Sequence, residues 1–372
     1  MVIRPAASLR EVDGAYELAA RIFGPSYPEA LARLARIRQR EALEEASDVL
    51  IATTDKKIVG MTHVLPRKVY LHGIPVPAFG FGHVCIHPDL QGQGCGELLV
   101  LGALELAQKK GGVLAIVIAR RAVDGFYWKY GFVGIDAFAE VSVIGFGPVA
   151  SSGGRIRCVV GVSPSRLRDY ARTYAGTYSS LPYAFCRDSN WWDYFESRLL
   201  PPSSDTRCVN VYLDNHWIGY FILSKGIVVE AAVEPQRTTL FAEALVRYVQ
   251  RTQEGPVRLA LALAHPCIRH VRRFAHAISL RFAWNGGHMV RVLDKGRFLQ
   301  HWTCSERNGH NAKVPPRVLA RTARFDIASH KGARGLMMAS FGVLSAPEEA
   351  PYGEGAVNHL VLHPVWSMLD EF

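Results

Sequence analysis

The sequence predicts an α/β protein in which two units, each with a mixed sheet, precede a small C-terminal α+β domain. A strand leads through a glycine-rich loop into a helix between Phe79 and Lys110, and the order strand, proline, helix, strand recurs between Ile227 and Leu263. The chain has 372 residues, which suffices for two or three domains of about 100–200 residues each. The predicted domains are residues 1–150, 155–296 and 297–372, with the glycine- and serine-rich stretch 145–154 as the first linker.

The first unit begins with a helix-start signal. Ser8-Leu-Arg-Glu11 has the pattern of a capping box, which predicts a helix that continues to about Ile22. Asp55-Lys-Lys57 is typical of a turn between two strands. The other expected elements are a helix over about 29–40 and strands over about 49–53, 58–65 and 68–71.

The loop Gln91-Gly-Gln-Gly-Cys-Gly96 has the composition of a phosphate-binding turn. Glycines at 92, 94 and 96 leave room for an anion, and the first amides of the following helix lack intrahelical acceptors. The helix ends with lysines before Gly111-Gly112, and the apolar run 113–118 is typical of a buried parallel strand.

This loop and the downstream segment Phe126-Tyr-Trp-Lys-Tyr-Gly-Phe132 together resemble the GNAT superfamily of acetyl-CoA-dependent N-acetyltransferases. The resemblance implies that the loop binds the coenzyme A pyrophosphate, that the preceding strand pairs with the pantetheine arm, and that Tyr127 protonates the leaving thiolate. The implied cofactor residues are Val84, Cys85 and Ile86 on the strand and Gln91, Gly92, Gln93, Gly94, Cys95 and Gly96 in the loop. A dinucleotide site is disfavoured, because its acidic residue is replaced by arginines at the end of the next strand.

The second unit reads as a degenerate copy of the first. Residues Gln236-Arg-Thr-Thr-Leu240 stand where the first copy has its glycines, and their side chains would crowd a pyrophosphate. We therefore expect one acetyl-CoA per chain. The alternative is an unrelated α+β domain.

The whole chain, which ends in Glu371-Phe372, resembles the enhanced-intracellular-survival (Eis) family of multi-acetylating aminoglycoside acetyltransferases. The resemblance implies tandem GNAT-like domains, a sterol-carrier-like C-terminal domain and a homo-oligomer, with a hexamer as one form. It also implies that the terminal carboxylate of Phe372 is the general base and that Glu371 and Phe23 contact the substrate. Pro25 replaces the family's pocket aspartate, which weakens the case for a polycationic aminoglycoside.

The chemistry leaves two roles open. His83 lies on the cofactor strand and is an alternative base, since a histidine near neutral pKa can take the proton of the amine. Tyr127 could instead fill the core like its aromatic neighbours, but a buried phenol would then need a hydrogen-bond partner. A backbone amide within 84–86 is expected to polarise the thioester carbonyl.

The composition of the chain bears on whether nucleic acid, a membrane or a metal is a partner. The net charge is +10, but the basic residues are scattered and form no nucleic-acid signature. No apolar run reaches the roughly 20 residues that span a bilayer, and the N-terminus lacks a signal-peptide core.

Seven cysteines without a Cys-x-x-Cys pair indicate a reducing cytoplasm, no metal site, and apolar roles for Cys85 and Cys95. Trp191-Trp192 are expected in the core, and His265 and His270 at the surface.

The sequence thus predicts a cytoplasmic N-acetyltransferase that acts on a primary amine by direct transfer in a ternary complex. Aminoglycosides are one candidate acceptor. The alternative acceptors are a protein lysine, a polyamine or an amino-sugar. A non-catalytic acyl-CoA sensor or scaffold is the alternative from another class, and it would bind acetyl-CoA without releasing thiol.

Overall fold

A computed structural model of the chain describes residues 1–23, 46–71, 73–118, 124–134, 139–146, 154–181, 184–189, 191–192, 195, 206–253, 256–261, 265–282 and 288–304. The helix expected over 29–40 lies outside these residues, and so does nearly all of the predicted C-terminal domain. None of the described helices combines the length and apolarity that crossing a bilayer requires.

The first half of the chain alternates strands and helices in an order that the second half repeats. Its elements are β1 (Val2–Pro5), α1 (Leu9–Phe23), β2 (Val49–Thr54), β3 (Lys57–Leu71), β4 (Ile74–Ile86), α2 (Cys95–Lys109), β5 (Leu114–Ile118), α3 (Asp124–Trp128), β6 (Val133–Gly134) and β7 (Ala139–Phe146). The predicted strands 58–65 and 68–71 are one continuous strand, β3.

The second half repeats this order in full. Its elements are β8 (Ile156–Val160), α4 (Leu167–Tyr178), β9 (Thr206–Leu213), β10 (His216–Ser224), β11 (Ile227–Val233), α5 (Thr238–Thr252), β12 (Val257–Leu261), α6 (Pro266–Phe274), β13 (Ala275–Phe282) and β14 (His288–Val292), followed by α7 (Lys295–Cys304). The repeated order excludes the alternative of an unrelated second domain.

The described strands form two seven-stranded mixed sheets of the same topology. The first sheet has the order β1-β2-β3-β4-β5-β14-β6, and the second, from its other edge, has the order β8-β9-β10-β11-β12-β7-β13. In each sheet the central pair, β4 with β5 and β11 with β12, is parallel. The predicted α/β class with two mixed sheets is therefore confirmed.

One strand from each half completes the sheet of the other. Strand β14 inserts between β5 and β6, so that Met289 pairs with Val117 on one side and Gly134 on the other. Strand β7 takes the corresponding place between β12 and β13. Hydrogen bonding therefore crosses the domain boundary predicted near residues 150–155, and the boundary itself stays a prediction.

Helix α1 begins directly after Ser8, as predicted, with one of the two bonds of a capping box. The Ser8 hydroxyl accepts a hydrogen bond from the Glu11 amide at 3.3 Å, and the Glu11 carboxylate accepts one from the Ala7 amide at 2.7 Å. Arg4 donates to the same carboxylate at 2.8 Å. The Arg4 guanidinium and the Ala7 amide lower the pKa of Glu11 to about 2.

Candidate active site

A β-bulge near the end of β4 reorients the strand. His83 has the left-handed φ of 52°, and Thr62 of β3 faces two residues there, because Met61 pairs with Cys85 while His63 pairs with Gly82. A bulge of this kind shifts the alternation of side chains by one residue. Phe79 and Phe81 before the bulge and Val84 and Ile86 after it therefore share the core cluster beneath α2.

The end of β4 is open toward β5. Parallel pairing runs from Ala78–Leu114 to Phe81–Val117 and stops, although β4 continues to Ile86. Within the described residues no strand pairs with Val84–Ile86 on that side, so this part of β4 is an edge of the described sheet. Such an edge can take an extended ligand arm as an additional strand.

The glycine loop after β4 adopts a conformation that other residues rarely take. Gly92 has a φ of 76°, and Gly94, the N-cap of α2, has a φ of 81°. A Cβ at either position would meet no heavy atom within 4 Å. No protein atom would clash with a side chain at either position, so packing does not explain the glycines. They are needed for the left-handed backbone, and they leave the outer side of the loop open to a ligand.

The loop presents backbone amides to the outside. Gln91 and Gln93 fold back, donating from Nε2 to the carbonyl oxygens of Ile86 at 3.2 Å and Asp89 at 2.9 Å. The Leu98 amide donates to the Gly94 carbonyl at 3.3 Å, as the first turn of a helix requires. The N–H groups of 95–97 then have no intrahelical acceptor and lie at the positive end of the helix dipole. These features fit the pyrophosphate of coenzyme A.

Helix α3 carries Tyr127 next to this loop. A Cβ on Gly96 would lie 3.6 Å from the Phe126 ring, so α2 begins against α3. Tyr127 is 6% exposed and packs edge-to-face between Phe126 and Phe132, with ring centroids 5.2 and 5.8 Å away. Burial raises its pKa, so the phenol holds its proton at neutral pH. Among the described residues its hydroxyl has no hydrogen-bond partner, and it is not one of the fully enclosed polar atoms, so it can meet a molecule from outside.

Sequence reasoning missed Arg291, which supports the turn after Tyr127. The Tyr127 backbone carbonyl accepts a hydrogen bond from the Tyr130 amide at 3.0 Å. Arg291 of β14 donates from Nη1 to the Tyr130 carbonyl at 2.6 Å. Arg291 is 9% exposed, and burial lowers its pKa to about 10. A single arginine within the apolar strand His288–Val292 was the available signal.

His83 and Phe23 come together on the opposite face, beside α1. The ring centroids of His83 and Phe23 are 6.4 Å apart, and that of Tyr16 lies 5.8 Å from His83. The Tyr16 hydroxyl lies 2.8 Å from Nδ1 of His63, which is fully buried. Sequence reasoning missed Tyr16, although Tyr16 and Phe23 stand two helical turns apart on one face of α1. Glu371 and Phe372 lie outside the described residues.

The cysteines and histidines of the described residues suggest no further chemistry. Cys85 and Cys95 are buried, and burial raises the pKa of the Cys85 thiol to about 12. The described residues contain no grouping of histidine, cysteine or acidic side chains that could hold a metal.

The expectation that His265 lies at the surface is wrong. His265 is fully buried and precedes α6, where its Nδ1 accepts the Cys267 amide hydrogen bond at 3.2 Å and Nε2 donates to the Ala231 carbonyl at 2.8 Å. It acts as a helix cap turned inward, and burial lowers its pKa to about 4. Trp192 is buried as predicted, whereas Trp191 and His270 are partly exposed.

Residues 3–134 match the model of an acetyltransferase (GNAT) domain. No curated protein matches the chain. Among solved structures, GCN5-related N-acetyltransferases from Kribbella flavida and Anabaena variabilis align with TM-scores of 0.56 and 0.59 at 16% and 11% identity, covering 79% of this chain and 72% and 73% of theirs. Eis1 from Mycobacterium abscessus aligns with a TM-score of 0.58 at 15% identity, covering 81% of this chain and 76% of its own.

At such identities these structures share the fold, and the family match supplies the activity class. GNAT acetyltransferases take the acetyl group from acetyl-CoA. The match covers β1 to β6, which includes the glycine loop and Tyr127. Residues 3–134 of the chain thus form a domain of the GNAT acetyltransferase type.

Proposed function

We propose that this protein transfers the acetyl group of acetyl-CoA directly to a primary amine bound in the same complex. The observation that carries the proposal is the convergence of an open β4 edge, a left-handed glycine loop and a buried phenol at one end of the first sheet. Acetyl-CoA supplies the acetyl group as a thioester.

Each group has one task in this proposal. The backbone amides of Gly92–Gly96 hold the pyrophosphate, with Gln91 bracing the loop through its bond to Ile86. The β4 edge at Val84–Ile86 holds the pantetheine arm and polarises the thioester carbonyl. The amine nitrogen bonds to the acetyl carbon as the carbon–sulfur bond breaks. A base takes one proton from the amine, and Tyr127 gives its phenolic proton to the departing thiolate, which leaves as the free thiol.

The base is proposed to be the terminal carboxylate of Phe372, with His83 as the alternative. The terminal carboxylate rests on the resemblance to the Eis family, with Glu371 and Phe23 as acceptor contacts. His83 is supported by its place at the bulge of β4 beside Phe23.

A comparison of tagged chains distinguishes these bases. A tag behind Phe372 and deletion of 370–372 should each abolish turnover and leave acetyl-CoA binding intact, while a tag before Met1 is harmless. His83→Ala should then be mildly impaired. Full activity of the C-terminally tagged chain together with inactivity of His83→Ala would assign the base to His83.

An amine panel identifies the acceptor. Aminoglycosides, a lysine peptide, polyamines and amino-sugars are compared by release of free thiol from acetyl-CoA. Binding of acetyl-CoA without thiol release on any amine would favour the sensor or scaffold. The acceptor is proposed to be a small molecule, with neither nucleic acid nor membrane as a partner.

Two further proposals concern the setting of the enzyme. The six described cysteines with placed side chains are free thiols, which supports the cytoplasm. The resemblance supports a homo-oligomer, with a hexamer as one form, which light scattering would measure.

A further inference from the structure

The second unit has a counterpart of the pocket that contains His83. His83 lies five residues before Pro88, and Glu230 lies five residues before Pro235, on the topologically equivalent strand β11. In both units the proline begins a short 3-10 helix. Glu230 thus occupies the position at which His83 faces the proposed acceptor amine.

The walls of the two pockets also correspond. In the first unit the rings beside His83 come from α1, and in the second unit Tyr174 and Tyr178 come from α4, the equivalent helix. The Tyr220 hydroxyl of β10 donates to Glu230 Oε1 at 2.7 Å. A carboxylate beside aromatic rings favours the binding of an organic cation.

An arginine of the chain itself fills this site. Arg187 donates from Nη1 and Nη2 to the two oxygens of Glu230 at 2.9 and 2.5 Å, and the two side chains are 1% and 0% exposed. The guanidinium carbon lies 3.8 Å from the Tyr174 ring centroid and 3.6 Å from that of Trp191. The guanidinium of Arg187 thus has a bidentate carboxylate partner that neutralises its charge and two aromatic rings in contact with it. This arrangement matches the planar geometry and the charge of a guanidinium.

The segment that delivers Arg187 is fastened to the first unit. The Tyr70 amide donates to the Ala184 carbonyl at 2.7 Å, and the Cys186 amide donates to the Lys68 carbonyl at 2.8 Å. These bonds to β3 lie on the N-terminal side of Arg187. Desolvation makes a buried ion pair a poor source of stability compared with apolar packing, so this arrangement resembles an occupied ligand site more than a core contact.

We propose that Arg187 is an internal ligand of the second unit, whose pocket is a guanidinium-binding site closed by the chain's own side chain. The external ligand of the opened site is an alkylguanidinium cation, and acceptor amines are confined to the first unit. The likeness to an acceptor pocket rests on the proposed function. The guanidinium site itself does not rest on the proposed function, because its test measures ligand binding to the second unit and does not involve acetyl transfer.

Emptying the pocket tests the proposal. Arg187→Ala should bind methylguanidinium at millimolar concentration, seen as a rise of several degrees in melting temperature and as saturable heat in calorimetry. Methylurea, a neutral analogue of similar shape, should have no effect. The wild type and the matched control Arg172→Ala, which removes an arginine 73% exposed on α4, should not respond. Equal responses in all three proteins, or none in Arg187→Ala, would overturn the proposal.

A second measurement applies if Arg187→Ala does not fold unaided. Refolding is then followed by near-ultraviolet circular dichroism with methylguanidinium or methylurea present, and recovery should occur with the cation alone. In Arg187→Ala combined with Glu230→Gln the recovery should disappear, because the carboxylate that binds the cation is gone. Recovery that is absent, or unchanged without Glu230, refutes the internal-ligand role.

Discussion

The turn after β4 and the turn after β11 begin alike and then diverge. Each strand ends before a proline-led 3-10 helix, Pro88–Leu90 in the first unit and Pro235–Arg237 in the second. In the first unit Gln91–Gly94 follow before α2 begins at Cys95, whereas α5 begins at Thr238 with no residue between. The N-cap Gly94 has a φ of 81°, and its counterpart Arg237 has a φ of −108°.

This difference separates what the fold needs from what the site needs. Both units keep the parallel strand pair and the helix between its strands, so the topology does not require the glycine loop. The additional residues supply two left-handed positions and free amides, which an anion uses. The pocket beside His83 in the first unit and the pocket beside Glu230 in the second unit also differ. Arg187 fills the pocket of the second unit.

The largest effect is expected from separating the two units. Residues 1–150 alone lack β14, which places Met289 and Val290, both 0% exposed, in the first sheet. This fragment should show neither cooperative melting nor acetyl-CoA binding. Fusing 286–304 behind residue 136 through a glycine-serine linker should restore both. Cooperative melting of 1–150 by itself would show that β14 is dispensable.

The next largest effect is expected on turnover when Tyr127, which lies beside the glycine loop of the first unit, loses its phenol hydroxyl. Tyr127→Phe should lower kcat about 100-fold with little change in acetyl-CoA affinity, because only the proton donor is lost. Tyr130→Phe is the control from the same aromatic cluster and should keep turnover within a few-fold. Near-native kcat in Tyr127→Phe would return this tyrosine to a packing role.

Acid should destabilise the second unit through His265. Burial lowers the pKa of His265 from 6.5 to about 4, so as pH falls below 6.5 the unfolded chain takes up a proton before the folded chain does. The free energy of unfolding should drop by about 2 kcal/mol between pH 7.5 and 5. Denaturant titrations of His265→Gln should lose this component, while those of His270→Gln should retain it. A pH dependence that persists in His265→Gln would contradict the assignment.

A smaller effect is expected at the glycine loop itself. Gly94→Val forces a branched side chain to a φ of 81° where the pyrophosphate would lie, and it should raise the Kd of acetyl-CoA at least tenfold, about 1.4 kcal/mol. Gly226→Val, at a φ of 77° in the β10–β11 turn, has matched backbone strain away from the site. Calorimetry should find acetyl-CoA affinity reduced in Gly94→Val alone. Equal losses in both variants would attribute the effect to strain.

The sequence by itself determined the features that depend on neighbouring residues. The helix start at Ser8, the glycine loop, the helix ending before Gly111 and the strand-proline-helix repeat are all local patterns, and the structure has them where they were predicted. The loop and the Tyr127 segment predicted the GNAT family, which the match over residues 3–134 supports.

Only the tertiary structure decided which distant segments meet. The exchange of β7 and β14, the bulge that turns His83 toward Tyr16, the support of Tyr130 by Arg291 and the burial of His265 each depend on residues that are remote in sequence. Residue spacing carries no information on such pairings, because strand order and burial are selected by the packing of the whole sheet. The Arg187–Glu230 pair has the same origin, since its carboxylate is 43 residues away and becomes its partner only when β11 and the segment beside β3 are assembled.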